Sequence, residues 1–195
     1  MNLLCIAGFL GSGKTIVLLE IARAMVADGL RLAVVENEIG EVGIDGEYVR
    51  RHGLPVQELF GGCICCTLQS RVVDTLRTLE ERYDPHWVIV EPTGLAAPGD
   101  VLGPVGELLP DIGATRVLTI VDAVRWEMLV AVVEPLITAQ VNAADVVAIN
   151  KIDEVTGDAL AAVREDVLRL VNDTPVVAVS AATGAGMDCL LGAIL

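Results

Sequence analysis

The stretch Gly8-Phe9-Leu10-Gly11-Ser12-Gly13-Lys14-Thr15 decides the fold, because it has the G-x-x-x-x-G-K-T spacing of a phosphate-binding P-loop. Its glycines leave the backbone free to curl, so that successive N–H groups can point at one anion. The Lys14 ammonium suits the outer phosphates of a nucleotide, and the Thr15 hydroxyl can ligate Mg²⁺. The predicted nucleotide-binding residues of the loop are Gly8, Gly11, Ser12, Gly13, Lys14 and Thr15.

The flanks of the loop favour a nucleotide site over a glycine-rich turn that binds nothing. Leu3 to Ala7 is an apolar strand candidate, and Ile16 to Ala27 contains neither Pro nor Gly and predicts a helix. A helix that begins directly after the loop adds the positive end of its dipole to the anion site.

Composition and element order predict an α/β protein. Hydrophobic residues make up 53% of the 195 and aromatic residues only 3%, which is typical of Val-, Leu-, Ile- and Ala-filled parallel sheets. Strand and helix patterns alternate, so we predict a three-layer P-loop NTPase fold with a largely parallel sheet of six or seven strands, helices on both faces, and one domain over residues 1–195. Further strands are predicted at Leu32 to Val35, His86 to Glu91, Thr115 to Val121, Val146 to Ile149 and Val176 to Val179. Further helices are predicted at Ser70 to Tyr83 with Ser70 as N-cap, Trp126 to Val141 with a break or a bend at Pro135, Asp158 to Val171, and Met187 to Leu195.

Two regions carry no such periodicity. The acidic, glycine-rich run from Glu36 to Gly46 predicts a surface loop that can move, and the segment from Pro98 to Pro110 shows no clean period. Polar residues follow the strands, namely Glu91, Asp122, Asn150 and Ser180. Since the carboxyl ends of parallel strands meet at one edge, these residues are expected to line a single crevice with the P-loop.

The net charge limits the classes of partner, and the cysteines are interpreted from the expected cellular compartment. A net charge of −14 argues against nucleic acid or an anionic membrane as partner, and favours cations and basic protein surfaces. The sequence shows neither a signal peptide nor a membrane-length apolar run, so a cytoplasmic location is expected. In that reducing compartment the five cysteines are interpreted as thiols or metal ligands.

The box Asn150-Lys151-Ile152-Asp153 predicts guanine as the base. The Asp153 carboxylate can accept from guanine N1–H and the 2-amino group, while the Asn150 amide and the Lys151 stem hold the other edge and the face of the ring. Adenine lacks the N1–H and would leave the carboxylate unpaired. The pair Ser180-Ala181 is expected to offer a backbone N–H to the guanine oxygen. The alternative is a polar loop without a ligand.

Cys63, Cys65 and Cys66 form a candidate transition-metal site after Gly61-Gly62. Three thiolates suit Zn²⁺, Cu(I) or Co²⁺ better than Mg²⁺, and Glu38, Glu41, a water or a partner protein could supply a fourth ligand. Structural packing of the thiols and a redox switch are the alternatives. The isolated cysteines Cys5 and Cys189 are interpreted as core residues, and His52 and His86 as structural ones.

Together these motifs resemble the CobW-type P-loop GTPases over nearly the whole chain. The segments that carry the resemblance are Gly8 to Thr15, Asn37 to Asp45, Gly61 to Cys66, Glu91-Pro92-Thr93-Gly94 and Asn150 to Asp153. The resemblance implies a GTP-hydrolysing metallochaperone related to the nickel-insertion GTPases, which often dimerise. It also implies that Glu38 to Asp45 form the first switch and that Glu91 to Gly94 begin the second. Many members carry a second, C-terminal domain, which is expected to be absent here.

The predicted site follows from the motifs and the resemblance together. The catalytic residues are Lys14, Thr15, Glu38 and Glu91, with Thr15 and Glu91 near Mg²⁺. Besides GTP or GDP and Mg²⁺, the expected metal is zinc, with cobalt and nickel as alternatives, bound at Cys63, Cys65 and Cys66.

The expected client is a metalloenzyme or a corrinoid protein of cobalamin biosynthesis. The sequence does not decide whether the chain forms a homodimer. Turnover is expected to be slow, since no arginine finger or water-positioning glutamine is evident. A GTP-gated partner switch with structural cysteines and a small-molecule kinase are the competing functions.

Overall fold

The computed structural model describes residues 1–36, 64–109 and 111–195. The described strands are β1 (Asn2–Gly8), β2 (Leu32–Glu36), β3 (Trp87–Glu91), β4 (Thr115–Asp122), β5 (Val146–Asn150) and β6 (Val176–Ala178). The described helices are α1 (Lys14–Ala27), α2 (Ile64–Tyr83), α3 (Pro98–Leu108), α4 (Trp126–Asn142), α5 (Gly157–Leu170) and α6 (Met187–Ile194), with a 3₁₀ turn at Ile152–Glu154. Within these ranges no helix has the length and apolarity needed to cross a bilayer.

The strands form one parallel sheet in the order β2-β3-β1-β4-β5-β6, which confirms the predicted α/β fold with six strands. From β1 the chain first moves towards β2 on one side, and later crosses from β3 to β4 on the other. This reversal of strand order opens a crevice at the carboxyl ends of the central strands. The loop that follows β1 therefore lies at the crevice.

Helices bury both faces of the sheet. Leu4 and Ile6 of β1 share a fully buried cluster with α1 and α6, whereas Leu3 of the same strand packs with α2 and α3. Helices α4 and α5 bury their apolar sides in a third cluster that includes Val147 and Ile149 of β5. Strand β1 lies inside the sheet, and its alternate residues are buried on opposite faces. It therefore gives a rigid support to the loop that follows it.

Two helices differ from the sequence prediction. Helix α2 begins at Ile64, so Ser70 lies inside the helix and is not its N-cap. The residues from Ile64 to Gln69 include no Pro or Gly, and nothing in them ends a helix. Helix α3 forms in the segment that showed no clean period, because Val101 and Val105 bury one side of it, one turn apart. Burial outweighs the glycines and Pro104 there, and Pro98 supplies a favourable φ at the first turn.

Helix α4 is bent as predicted. Val133 has non-helical backbone angles (φ −134°, ψ 34°) two residues before Pro135, which cannot donate a backbone hydrogen bond. The interruption divides α4 into an N-terminal half that starts at Trp126 and a C-terminal half that carries Gln140.

Candidate functional site

The P-loop has the backbone that an anion site requires. Gly8, Gly11 and Gly13 have φ of 139°, 73° and 92°, a region that residues with a side chain rarely adopt. At Gly8 a Cβ would lie 2.4 Å from the Ile120 carbonyl oxygen, so glycine is required for space as well as for φ. No described side chain caps the start of α1, and its first turn contains no acidic residue. The helix N-terminus is therefore available to an anion.

Lys14 and Thr15 meet Glu91 at the foot of this loop, as their predicted shared site requires. The Lys14 Nζ lies 3.8 Å from Glu91 Oε1 and 3.5 Å from the Phe9 carbonyl oxygen. The Thr15 hydroxyl is 3.3 Å from both Glu91 carboxylate oxygens. A hydroxyl and a carboxylate side by side are the hard oxygen donors that Mg²⁺ prefers, so these residues fit the ion.

The residues predicted to bind the base also hold the P-loop. The buried Asn150 amide donates from Nδ2 to the Ser12 carbonyl oxygen at 2.9 Å and accepts at Oδ1 from the Ala181 N–H at 3.1 Å. Lys151, with φ +67°, donates from Nζ to the Gly11 carbonyl oxygen at 2.8 Å. Asn150 therefore joins the P-loop to the loop after β6, and Lys151 braces the same P-loop.

Asp153 is solvent-exposed in the 3₁₀ turn after β5, where its carboxylate is accessible to a ligand. The neighbouring pair Ser180-Ala181 has its backbone N–H groups engaged, since Ser180 donates to the Ala185 carbonyl oxygen and Ala181 to Asn150. The expected N–H donation from this pair to a guanine oxygen stays a prediction and requires one of these bonds to be shared or exchanged.

Asp122 connects the predicted guanine box with a residue that contacts the P-loop, a link that the sequence did not indicate. Its buried carboxylate accepts from Lys151 Nζ at 2.8 Å and from Arg125 Nε at 2.7 Å. Burial alone would raise the pKa of Asp122, but the hydrogen bonds and charges of Lys151 and Arg125 outweigh it and hold that pKa below its ordinary value. Arg125 was missed at the sequence level, although its i, i+3 spacing from an acid at a strand end is a usable signal.

The turn that follows β3 packs directly on the P-loop. A Cβ at Gly94 would lie 2.6 Å from the Leu10 backbone nitrogen, so the two backbones are in close contact. The buried Gln140 amide donates to the carbonyl oxygens of Gly94 and Ala96 at 3.2 and 3.0 Å, which fixes the turn against α4. Gln140 gave no signal in the sequence, because it lies 46 residues from Gly94 in an otherwise apolar helix.

The family match agrees with this arrangement. A family model described as "CobW/HypB/UreG, nucleotide-binding domain" matches residues 2–178. The chain belongs to this family. The resemblance to CobW-type proteins is thereby confirmed.

Curated relatives of this CobW/HypB/UreG chain include zinc chaperones. It is 31% identical over 192 residues to the zinc chaperone CobW of a Sinorhizobium species, which covers 83% of this chain and 54% of that protein. It is 37% identical over 155 residues to the zinc chaperone YeiR of Escherichia coli, covering 77% and 46%. The chain thus spans about half the length of the curated relatives it matches.

Solved structures of the CobW/HypB/UreG type share the fold. The hydrogenase maturation factor HypB of Archaeoglobus fulgidus superimposes with a TM-score of 0.74 at 19% identity, covering 98% of this chain and 87% of that one. The Zn(II)-bound YjiA GTPase of Escherichia coli gives 0.65 at 24% identity, covering 90% and 56%. At these identities the likeness establishes the three-layer P-loop architecture.

The candidate metal cysteines of this CobW/HypB/UreG domain are only partly described. The backbone at Cys65 and Cys66 lies in the first turn of α2, whereas Cys63, Glu38, Glu41 and the rest of the predicted first switch lie outside the described residues, as does His52. Among the residues that the structure describes, no group of three His, Cys, Asp or Glu side chains is placed to hold a metal ion. The metal site therefore stays a prediction.

The two isolated cysteines differ from each other. Cys5 is buried in β1, as predicted, and burial raises the pKa of its thiol to about 12, so it stays protonated. Cys189 is exposed, and its interpretation as a core residue is wrong. The apolar side of α6 consists of Met187, Leu190 and Ile194, and Cys189 lies off that side. His86 accepts at Nδ1 from the Arg31 backbone N–H at 3.1 Å, which fits a structural role.

Proposed function

We propose that the chain is the GTP-binding and GTP-hydrolysing domain of a metal chaperone that carries a transition metal, zinc first, on Cys63, Cys65 and Cys66. The observation that supports it most strongly is the joining of a P-loop to a guanine box at one sheet edge, through the Asn150 amide and the Ser12 carbonyl oxygen 2.9 Å apart. The zinc-chaperone names of the relatives support the metal cargo. The client is a metalloenzyme or a corrinoid protein in the cytoplasm.

The phosphate end of the site would act through charge. The N–H groups at the start of α1 and the Lys14 ammonium would bind the outer phosphates and stabilise charge that develops on them during hydrolysis. Thr15 and Glu91 would hold Mg²⁺, directly or through water, and the ion when bound neutralises phosphate charge. Glu91 also neighbours Lys14, so the metal-holding and phosphate-binding side chains would be mutually oriented.

The turn at Gly94 would change its position with the nucleotide state and pass that change to the elements packed against it. Its close contact with Leu10 means that a change in the P-loop displaces the backbone after Glu91. Helix α2, whose first turn contains the backbone of Cys65 and Cys66, packs Leu76 and Leu79 against the same buried cluster as Val88 and Val90 of β3. This packing of α2 against β3 supports the proposed coupling between the nucleotide and the metal.

Substituting Gly94 by alanine is expected to lower kcat/KM for GTP by about 10- to 100-fold, because the added methyl group displaces the P-loop or the turn by a fraction of an ångström. The matched control is Gly99→Ala, since a Cβ at Gly99 meets no atom within 4 Å. Phosphate release at several GTP concentrations measures the effect. Equal rates in both variants would show that the Gly94 contact is not needed for hydrolysis.

The metal cargo is tested by replacing Cys63, Cys65 and Cys66 with serine together. We expect tight zinc binding to be lost, whereas Cys189→Ser, which removes an exposed thiol elsewhere, retains it.

If nucleotide controls release of the metal, zinc affinity with a non-hydrolysable GTP analogue and with GDP will differ by about 5- to 150-fold. Competition with a zinc-binding dye measures both quantities.

Equal zinc affinities in the two nucleotide states would contradict the coupled release. If the triple variant also still activated its client, the cysteines would be structural, and the domain would act as a GTP-gated partner switch. Absence of GTP hydrolysis by the unmodified protein, with and without zinc, would contradict the enzymatic part of the proposal.

A further inference from the structure

Three successive carbonyl groups of the P-loop are held from outside by side chains. The Leu10 carbonyl oxygen accepts from Arg125 Nη2 at 2.7 Å. The Gly11 carbonyl oxygen accepts from Lys151 and the Ser12 carbonyl oxygen from Asn150, at 2.8 and 2.9 Å. Lys151 and Asn150 belong to the guanine box, whereas Arg125 belongs to neither predicted motif.

Holding a carbonyl fixes the N–H of the same peptide unit. Because the peptide is planar and trans, the N–H points away from the C=O across the bond. The Arg125 contact with the Leu10 oxygen therefore sets the direction of the Gly11 N–H, which points to the opposite side of the loop. Gly11 has φ +73° and gives its peptides wide conformational freedom, so an external restraint is needed to keep that direction.

Arg125 is itself fixed by Asp122. The Asp122 carboxylate accepts from Arg125 Nε at 2.7 Å through one oxygen, and through the other from the backbone N–H groups of Val124 and Arg125 at 3.0 and 3.2 Å. The same carboxylate orients Lys151, so a single buried anion aligns two cations on neighbouring carbonyl groups of the loop. The Arg125 side chain is 33% exposed and lies beside Gly11, where a Cβ would come 3.1 Å from Nη2.

We propose that Arg125, oriented by Asp122, is a positioning residue of the phosphate cradle that keeps the Leu10–Gly11 peptide in its anion-binding orientation. The inference rests on the proposed nucleotide site and adds to it a residue that neither the P-loop nor the guanine box contains. Arg125 acts on the phosphate end, so it sets affinity for the diphosphate and leaves the choice of base to Asp153.

The test compares Arg125→Ala with the unmodified chain in titrations with GDP and with IDP, whose base lacks the 2-amino group. Both affinities are expected to fall by about 10- to 100-fold, the usual range for loss of a charged hydrogen bond, with their ratio unchanged. Arg125→Lys is expected to recover only part of the loss, because one ammonium group does not reproduce the separate Nε and Nη2 contacts. Arg169→Ala, which removes an exposed arginine that pairs with Glu165 and Asp166 of the same helix, is the matched control and is expected to leave both affinities unchanged.

GDP affinity of Arg125→Ala within twofold of the unmodified chain would overturn the inference, and so would an equal loss in Arg169→Ala. A change in the GDP-to-IDP ratio as large as the loss itself would place Arg125 at the base and overturn it as well. If Arg125→Ala does not fold, Arg125→Lys decides: weaker binding at an unchanged melting temperature supports the inference, and full affinity contradicts it. Failure of the unmodified chain to bind GDP would instead overturn the proposed function itself.

Discussion

Asp153→Asn is expected to lower affinity for GDP by about 10²- to 10⁴-fold, because an amide replaces the carboxylate that is proposed to accept from guanine N1–H and the 2-amino group. Asp153 is exposed in the turn after β5, so the substitution leaves the buried contacts of Asn150 intact. Calorimetric titration of GDP into both proteins measures the loss, and the melting temperature of the nucleotide-free protein is expected to be unchanged.

The decisive control for Asp153→Asn is a nucleotide with xanthine as its base. Xanthine keeps the N1–H but carries an oxygen at position 2, which accepts from the new amide. Affinity for xanthosine diphosphate is therefore expected to rise in the variant while affinity for GDP falls. A variant that loses both nucleotides equally would show that Asp153 supports the fold of the loop and does not select the base.

Lys14→Ala is expected to lower kcat/KM for GTP by about 10²- to 10³-fold, the cost of removing one preorganised charged donor from a developing anion. The lysine is buried in the P-loop, with its Nζ 3.8 Å from Glu91 Oε1. Phosphate release measures hydrolysis, and titration with GTP and GDP separates binding from chemistry.

Lys151→Ala provides a contrast for Lys14→Ala. Lys151 contacts the outside of the loop at the Gly11 carbonyl oxygen, and its loss is expected to weaken binding of GTP and GDP alike. Loss of Lys14 is expected to affect GTP more than GDP, since its charge is proposed to stabilise the outer phosphates. Equal effects of Lys14→Ala on both nucleotides, with kcat unchanged, would contradict its assignment to catalysis.

The motifs that were readable from the sequence are contiguous. The P-loop and the predicted guanine box each place their polar groups within eight residues, so spacing indicated both motifs. The strands before them are short apolar runs that alternate with helix patterns, which indicated the parallel sheet. The start of α2 was wrong by six residues, because a hydroxyl residue at Ser70 is compatible with the middle of a helix as well as with its cap.

The contacts that were not readable join distant parts of the chain. Arg125 and Leu10 are 115 residues apart, and Gln140 and Gly94 are 46 apart, so only the folded sheet brings them together. Helix α3 was missed for a related reason. Its local composition favours a loop, and its stability comes from burial of Val101 and Val105 in a cluster that includes Leu3 of β1, which is distant in sequence.

The bend in α4 lies between two contacts that this helix and its N-cap make, one with the P-loop and one with the turn at Gly94. Arg125 at its start contacts the P-loop, Gln140 near its end contacts the turn at Gly94, and Val133 breaks the ladder of backbone hydrogen bonds between them. Rotation about the backbone of one residue can therefore tilt the far half of the helix while the near half stays anchored. A ligand-driven shift of the Gly94 turn would then change the angle between the two halves of α4. No helical turn would need to unfold, and the contact of Arg125 with the P-loop would be kept.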